Sequence, residues 1–331
     1  MTWEDSHLRE WAARALPDHP WRPRRGLDRL GPGAETALAV RNIDAALADP
    51  MAFAVVDGEG STIRAVTFVR PRQMESDAFG FGVAGIDLAL CPTDTTDRIE
   101  VLRANLSQAL AEAGERGMTM IVLKVDAGDA ELLVAAQHAG YLIYDVSLNF
   151  LAEADRWDQP VPPPPGVRID VYNEGIDGVL APDDLAALSA RTTAWEQNHH
   201  RADPRVPIDA IERFYGQWMA NIGAGTWCDQ LVVASADGQV IGIHSAVMDK
   251  ELLAATGISL LTDVWTVARS RGRGVSSAML SAAIHHAPPG CRHIEWESQA
   301  RNTSVIRAAE FTKTCGLIRG AYTMHAWTDG A

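Results

Sequence analysis

Residues 263–280, DVWTVARSRGRGVSSAML, read as a strand, a glycine loop and a helix in succession. Gly272 and Gly274 let the backbone come close to a ligand and expose amide protons. The start of the helix adds about half a positive charge and several N–H groups without helical partners. Together these make an anion site. A pyrophosphate fits it, with Arg271 and Arg273 available to pair with phosphates. Two other readings stand beside this one. One is a tight turn that is rich in Gly and Arg. The other is a dinucleotide-binding GxGxxG, which needs a third glycine where Ser277 stands and a βαβ unit with a later acidic residue.

Outward from the loop, the second half of the chain has a definite order of elements. Val167–Val171 alternates as a strand, and Pro182–Thr192 and Ile208–Ile222 carry helical spacing. Gln230–Ser235 and Val240–Met248 are strands joined by a turn at Ala236–Gly238. Leu252–Val267, broken by Gly257, is expected to hold two strands. Gly274–His286 is an amphipathic helix, Arg292–Ser298 a strand, Thr303–Thr314 a helix and Ala321–Trp327 a final strand. The first half repeats this order. Ala52–Asp57 and Thr62–Arg70 form a hairpin, followed by a strand at Gly85–Leu90 and a long helix at Ile99–Arg116. Met118–Lys124 is a strand, Ala130–Ala139 a helix and Ile143–Leu151 a strand. Between the halves, residues 157–166 read WDQPVPPPPG, where prolines remove amide donors and favour an extended linker.

The bulk composition narrows the partners. The chain has 331 residues, 47% hydrophobic and 22% charged, enough for two globular domains. A formal charge of −14 argues against a general nucleic-acid surface and against an anionic membrane surface. The N-terminus, MTWEDSHLREWAARAL, lacks a basic start and an apolar core, so no signal peptide is expected and the reading is cytoplasmic. Cys91, Cys228, Cys291 and Cys315 are far apart and read as free thiols, not as a zinc site or a disulfide framework.

Arg271–Ser276 resembles the R/Q-x-x-G-x-G/A acetyl-CoA loop of the GNAT N-acetyltransferases. The resemblance implies that amides of Gly272, Arg273, Gly274, Val275 and Ser276 bind the pyrophosphate of acetyl-CoA, the acyl donor. It implies that the strand carrying Trp265, Thr266 and Val267 splays from Arg292–Ser298, pairs with the pantetheine arm and supplies an oxyanion contact. It also places Asn302 near the pantetheine. Ser276 departs from the family pattern, as does the length of the helix after Asn302. The family's tyrosine general acid is absent, its place being held by Ala309, Phe311 or Thr312. A more diffuse likeness, through 193-TAWEQNHHRADP, 214-FYGQW and 322-YTMHAW, is to bacterial TDP-amino-sugar N-acetyltransferases. The implied fold is α+β: two tandem GNAT-like domains, each a mixed, mostly antiparallel sheet flanked by helices. Residues 1–156 form a degenerate domain without a cofactor loop, 157–166 a linker and 167–331 the acetyl-CoA-binding catalytic domain. After the first half's third strand, Pro92 has no amide proton and Asp94 and Asp97 would repel a pyrophosphate.

The implied reaction is direct attack of a small-molecule primary amine, for example an amino-sugar nucleotide, on the acyl donor, by a monomer or homodimer. An antibiotic precursor, an amino acid or a protein amine could replace that acceptor, and a catalytically inactive acyl-CoA-binding protein is the non-enzymatic alternative. The amine needs a base, and Asp263, Glu295, Glu297, His244 and Tyr322 are weighed for it. Glu295 and Glu297, two apart on a strand, share a face. Asp263 and Glu297 are the preferred bases and Tyr322 replaces the missing acid, while His325, three residues on, faces the other side. Adjacent His199 and His200 do not share a helix or strand face, and no metal is expected. Trp265 and Trp296 pack in the core or line the acyl or sugar pocket.

Overall fold

The computed structural model describes residues 5–16, 19, 33–59, 62–153, 160–191, 198–268, 274–288, 290–291, 293–303, 306–307 and 315–330. The chain divides into two compact units, Met1–Ser147 with Arg319–Ala331, and Leu148–Ile318. The first half holds α1 (Asp5–Ala15), α2 (Ala34–Ala48), β1 (Phe53–Glu59), β2 (Thr62–Pro71), α3 (Gln73–Phe79), β3 (Gly82–Leu90), α4 (Arg98–Glu115), β4 (Met118–Asp126), α5 (Ala130–His138) and β5 (Leu142–Glu153). The second holds β6 (Arg168–Tyr172), α6 (Pro182–Arg191), α7 (His199–Ala202), α8 (Ile208–Gly223), β7 (Gln230–Ala236), β8 (Gln239–Met248), α9 (Lys250–Thr256), β9 (Leu260–Ala268), α10 (Val275–His285), β10 (His293–Gln299) and β11 (Cys315–Trp327). No described helix is long and apolar enough to cross a membrane.

Unit 1 orders its strands β1-β2-β3-β4-β11. All neighbours are antiparallel except β3 and β4, which are parallel and linked through α4. α4 buries Val101, Leu102, Leu106, Ala109, Leu110 and Ala113, the three- and four-residue spacing of one helix face. These residues share a core with Phe68, Leu88, Ile121 and Leu123 of the sheet and with Leu8 and Ala12 of α1. At roughly 1.5–3 kcal/mol for each large apolar side chain buried, this face is what holds α4 on the sheet. The buried amide of Asn105 is satisfied: its oxygen accepts from Thr67 Oγ1 and its nitrogen donates to the Val55 carbonyl at 3.2 Å.

Unit 2 orders its strands β10-β9-β8-β7-β6, with Leu148–Glu153 of β5 beside β10. Again three pairings are antiparallel and one, β9 with β10, is parallel across a helix, α10. The uninterrupted run Leu231-Val232-Val233-Ala234 in β7 is covered on both faces. Leu231 and Val233 pack with Met219 and Ile222 of α8, while Val232 and Ala234 pack with Val275, Met279 and Ala283 of α10. The C-terminal end of α10 is clamped by Gln230, whose amide nitrogen donates to the carbonyls of Ala283 (3.2 Å) and His286 (3.0 Å).

Both halves therefore carry the repeated α+β plan, and three expectations change. The stretch from Leu252 to Gly257, expected to be a strand, belongs to the helix Lys250–Thr256 and its cap. The Asp249 side chain accepts from the Leu252 N–H at 2.8 Å, and Gly257 ends the helix at φ 73°. The division between units falls inside β5, not at residues 157–166. Within that proline-rich segment Val161 donates to Ser281 Oγ on α10 at 2.8 Å, which ties it to unit 2. Finally, residues 319–331 leave the expected second domain for unit 1, because Ala321–Trp327 pairs antiparallel with Met120–Asp126. The helix expected over Thr303–Thr314 falls mostly outside the described residues. Cys91, Cys228 and Cys291 are buried free thiols, and burial pushes the Cys228 thiol up to about 11.

Candidate functional site

In unit 2 the parallel pairing of β9 with β10 matches Leu260, Leu261 and Thr262 to His293, Ile294 and Glu295. Among the described pairs it goes no further, although β9 continues to Ala268 and β10 to Gln299. β9 keeps its other partner throughout, with Trp265 opposite Ser245, Thr266 opposite His244 and Ala268 opposite Gly242. The result is a strand held on one edge while its other edge is released, which leaves backbone N–H and C=O groups to pair with something other than β10.

That strand leads into α10. Gly274 is the N-cap, left-handed at φ 78° and ψ 6°, and as a glycine it has no side chain to cap this end. A left-handed residue followed by helical ones gathers the N–H groups of Gly274, Val275 and Ser276 into a concavity suited to an anion. The Val275 side chain is buried with Val232 and Ala234, so it anchors the turn, while Ser276 is partly exposed. Arg271, Gly272 and Arg273 lie outside the described residues, as do the side chains of Asp263, Trp265, Thr266 and Val267. Asn302 follows β10, its N–H donating to Gln299 O at 2.8 Å and its carbonyl accepting from Ile306 at 3.2 Å.

Residues 190–316 match the sequence profile of the Acetyltransferase (GNAT) family. Over that stretch the chain resembles the GNAT acetyltransferases in sequence. A tandem GNAT protein from the clavulanic acid biosynthesis pathway has the same fold at TM-score 0.56 and 14% identity, covering 98% of this chain and 94% of that one. A GCN5-related N-acetyltransferase from Sphaerobacter thermophilus superposes at TM-score 0.59 and 14% identity, covering 97% and 93%. A further one, from Kribbella flavida, does so at TM-score 0.51 and 14% identity, covering 90% and 96%. The fold is thus a tandem GNAT fold. No curated protein matches the chain in sequence.

Around the GNAT domain's parted strands, the candidate bases separate by environment. Glu295, on the last paired residue of β10, is 2% exposed, whereas Glu297 is open to solvent. Both face Asn149 of β5, whose amide nitrogen lies 3.3 Å from Glu295 Oε1 and 3.5 Å from Glu297 Oε2. Sequence reasoning did not nominate Asn149. It lies 146 residues from Glu295, and only the placement of β5 beside β10 brings the two together. His244 is fully buried on β8. Trp296 is 2% exposed and stacks on Phe150 at 5.6 Å, so it belongs to the core and not to a pocket wall. Tyr322 lies in unit 1, opposite Val125 of β4 and partly buried against that unit's core. His199 and His200 form α7, capped by Asn198, and His200 meets Phe214 edge-on.

Unit 1 offers an internal comparison. Pairing of β3 with β4 likewise stops, at Ile86 and Leu123 among the described pairs, and α4 begins at a left-handed residue, Asp97, with φ 54°. There the resemblance to the GNAT domain's loop ends, because unit 1 crowds this end with its own side chains. Arg98 turns inward, donating to Asp129 Oδ1 and Oδ2 at 2.9 Å each, to Glu131 Oε2 at 2.7 Å and to the Cys91 carbonyl at 2.9 Å. His19 accepts from the Cys91 N–H at 3.1 Å and sits 3.4 Å from Arg98 Nη2. Burial opposes the charge on Arg98, but hydrogen bonds and attraction from Asp129 and Glu131 hold its pKa above the ordinary value.

Proposed function

We propose that the GNAT domain binds acetyl-CoA at the parted strands β9 and β10 and transfers its acetyl group to the primary amine of a small molecule. An amino-sugar nucleotide is the leading acceptor. The observation that carries this reading is a parallel strand pair that opens toward a helix begun by a left-handed glycine. Bound acetyl-CoA supplies an activated thioester. The chain's own groups do the rest. The amides of Gly272, Arg273, Gly274, Val275 and Ser276, with the Arg271 and Arg273 side chains, hold the pyrophosphate, each charge-assisted hydrogen bond contributing about 1.5–3 kcal/mol. The freed edge of β9 at Trp265, Thr266 and Val267 pairs with the pantetheine amides and offers an N–H to the developing oxyanion. Asn302 flanks that arm.

For the amine, the exposed carboxylate of Glu297 takes the proton, with Asp263 as the second base on β9. Tyr322, the acid that the sequence suggested, packs against the core of unit 1, and Tyr322→Phe tests that role. No metal enters this reading. Unit 1, whose corresponding helix start is occupied by Arg98, Asp129 and His19, binds no cofactor. The protein acts as a monomer or homodimer in the cytoplasm.

Calorimetric titration of the full chain with acetyl-CoA is expected to give one site per chain. Addition of primary amines to the loaded protein is expected to release free CoA. Absence of acetyl-CoA binding would overturn the reading. Binding with no release for any amine would make the protein an acyl-CoA-binding protein instead.

A further inference from the structure

We infer that Gln230, helped by Asn173, is a positioning residue for acetyl-CoA: it fixes α10 at its C-terminal end and so sets where the N–H groups at the other end meet the pyrophosphate. This rests on the reading of the GNAT domain given above. Gln230 opens β7, which is hydrogen-bonded between β6 and β8. Its side chain is fully buried, and its amide nitrogen lies 3.2 Å from the Ala283 carbonyl, 3.0 Å from the His286 carbonyl and 3.0 Å from Asn173 Oδ1. Asn173 follows the end of β6 and donates its own amide nitrogen to the His286 carbonyl at 3.0 Å. The opposite orientation of the Gln230 amide would set its oxygen against three acceptors, so the surroundings fix which way it points. Carbonyls at the end of α10, which helix geometry leaves without partners, are thus held by two side chains carried at the ends of adjacent strands.

Packing alone holds this helix less firmly along its axis. The side chains that α10 buries include Ala278, Ser281 and Ala283, and short side chains interlock little with a sheet. At the start of the helix Gly274 has no side chain with which to cap it. The clamp therefore acts about 16 Å from the pyrophosphate end, the length of 11 helical residues. A shift of the helix by about 1 Å would be carried along that rod to Val275 and Ser276, and a misplacement of that size is enough to cost on the order of a hundredfold. Gln230 does more than fill space. Its Oε1 is buried without a hydrogen-bond partner among the described residues, and an unpaired buried acceptor destabilises a fold. A methionine would fill the same volume without that loss, so what the amide contributes is the grip of its nitrogen on α10.

The test is calorimetric titration of the full-length chain with acetyl-CoA and with 3′-phosphoadenosine 5′-diphosphate, which carries the pyrophosphate but no pantetheine arm. Gln230→Met is expected to weaken both by at least tenfold at a temperature where the variant is fully folded. Val233→Ala, on the same strand but packed toward α8, is the destabilised control and should bind both within twofold of wild type. Gln230→Glu supplies a rescue: protonated, its carboxyl donates to one carbonyl, and ionised, it repels all three acceptors. Its acetyl-CoA affinity relative to wild type should be within threefold at about pH 5.5 and fall at least tenfold further by about pH 8.5. Should Gln230→Met fail to fold, Asn173→Ala, at an exposed residue, carries the same comparison with an expected loss of about threefold. A folded Gln230→Met, or Asn173→Ala in its place, that binds acetyl-CoA as tightly as wild type overturns the inference and leaves the cofactor reading standing. An equal loss in Val233→Ala does the same, as does a Gln230→Glu affinity that follows wild type at every pH. Wild-type protein that binds neither ligand removes both.

Discussion

Asp129→Ala is expected to destabilise unit 1 by about 3–5 kcal/mol, the range for breaking a buried ion pair from one side. The Arg98 side chain is 2% exposed and that of Asp129 1%, and the two meet in a two-pronged contact at 2.9 Å on each arm. Removing the carboxylate strands a guanidinium that cannot lose its proton. Glu131, half exposed, cannot replace it inside the core. The same substitution strips the cap of α5, because Asp129 Oδ1 also accepts the Leu132 N–H at 3.0 Å, a loss of about 1 kcal/mol. Urea unfolding at neutral pH measures the sum. The double variant Arg98→Met/Asp129→Leu should recover most of the loss, since replacing both charges by apolar groups is close to neutral. A single-variant loss below about 1 kcal/mol would mean that the pair is solvated in solution and that this end of α4 is open.

Gly274→Glu is expected to weaken acetyl-CoA binding more than a hundredfold while leaving the fold intact. The two effects separate because of where Gly274 sits. A Cβ added there meets no atom within 4 Å, so no clash arises. The φ of 78° costs a non-glycine residue about 1–2 kcal/mol, and a carboxylate at a helix N-terminus returns part of that, about 0.3–1 kcal/mol. Stability therefore falls slightly. Binding falls far more, because a fixed negative charge then stands among the N–H groups assigned to the pyrophosphate. Gly274→Asn is the informative partner, tolerating the left-handed backbone without adding charge, and should bind within about tenfold of wild type. Calorimetry alongside thermal melts distinguishes the cases. A Gly274→Glu variant with unchanged affinity would place the pyrophosphate elsewhere.

How much of this could be read from sequence depends on whether the deciding interaction is local. The helix that starts at Val275 was legible because an amphipathic run follows a glycine, and the tandem plan because the same order of strands and helices recurs. The Lys250–Thr256 helix was not. Its apolar run suits helix or strand equally, and the Asp249 cap and the left-handed Gly257 decide between them only in three dimensions. The proline-rich segment announces missing amide donors, which is a different matter from where contacts divide the chain; the division falls in β5. Long-range pairs left no local trace. Asn149 meets Glu295 across 146 residues and Arg98 meets Asp129 across 31, so neither contact could be read from spacing.

The return of Arg319–Trp327 to unit 1 has a consequence for biosynthesis. β4 pairs with β11 through seven matched residues, from Met120–Trp327 to Asp126–Ala321. As the chain leaves the ribosome, one edge of β4 stays bare until Ala321–Trp327 has been made. By then unit 2, uninterrupted between Leu148 and Ile318, has been made in full. The unit begun first is therefore completed after unit 2. During that wait it presents a bare, apolar strand edge of the kind that pairs with other chains, so premature termination endangers the older half more than the younger.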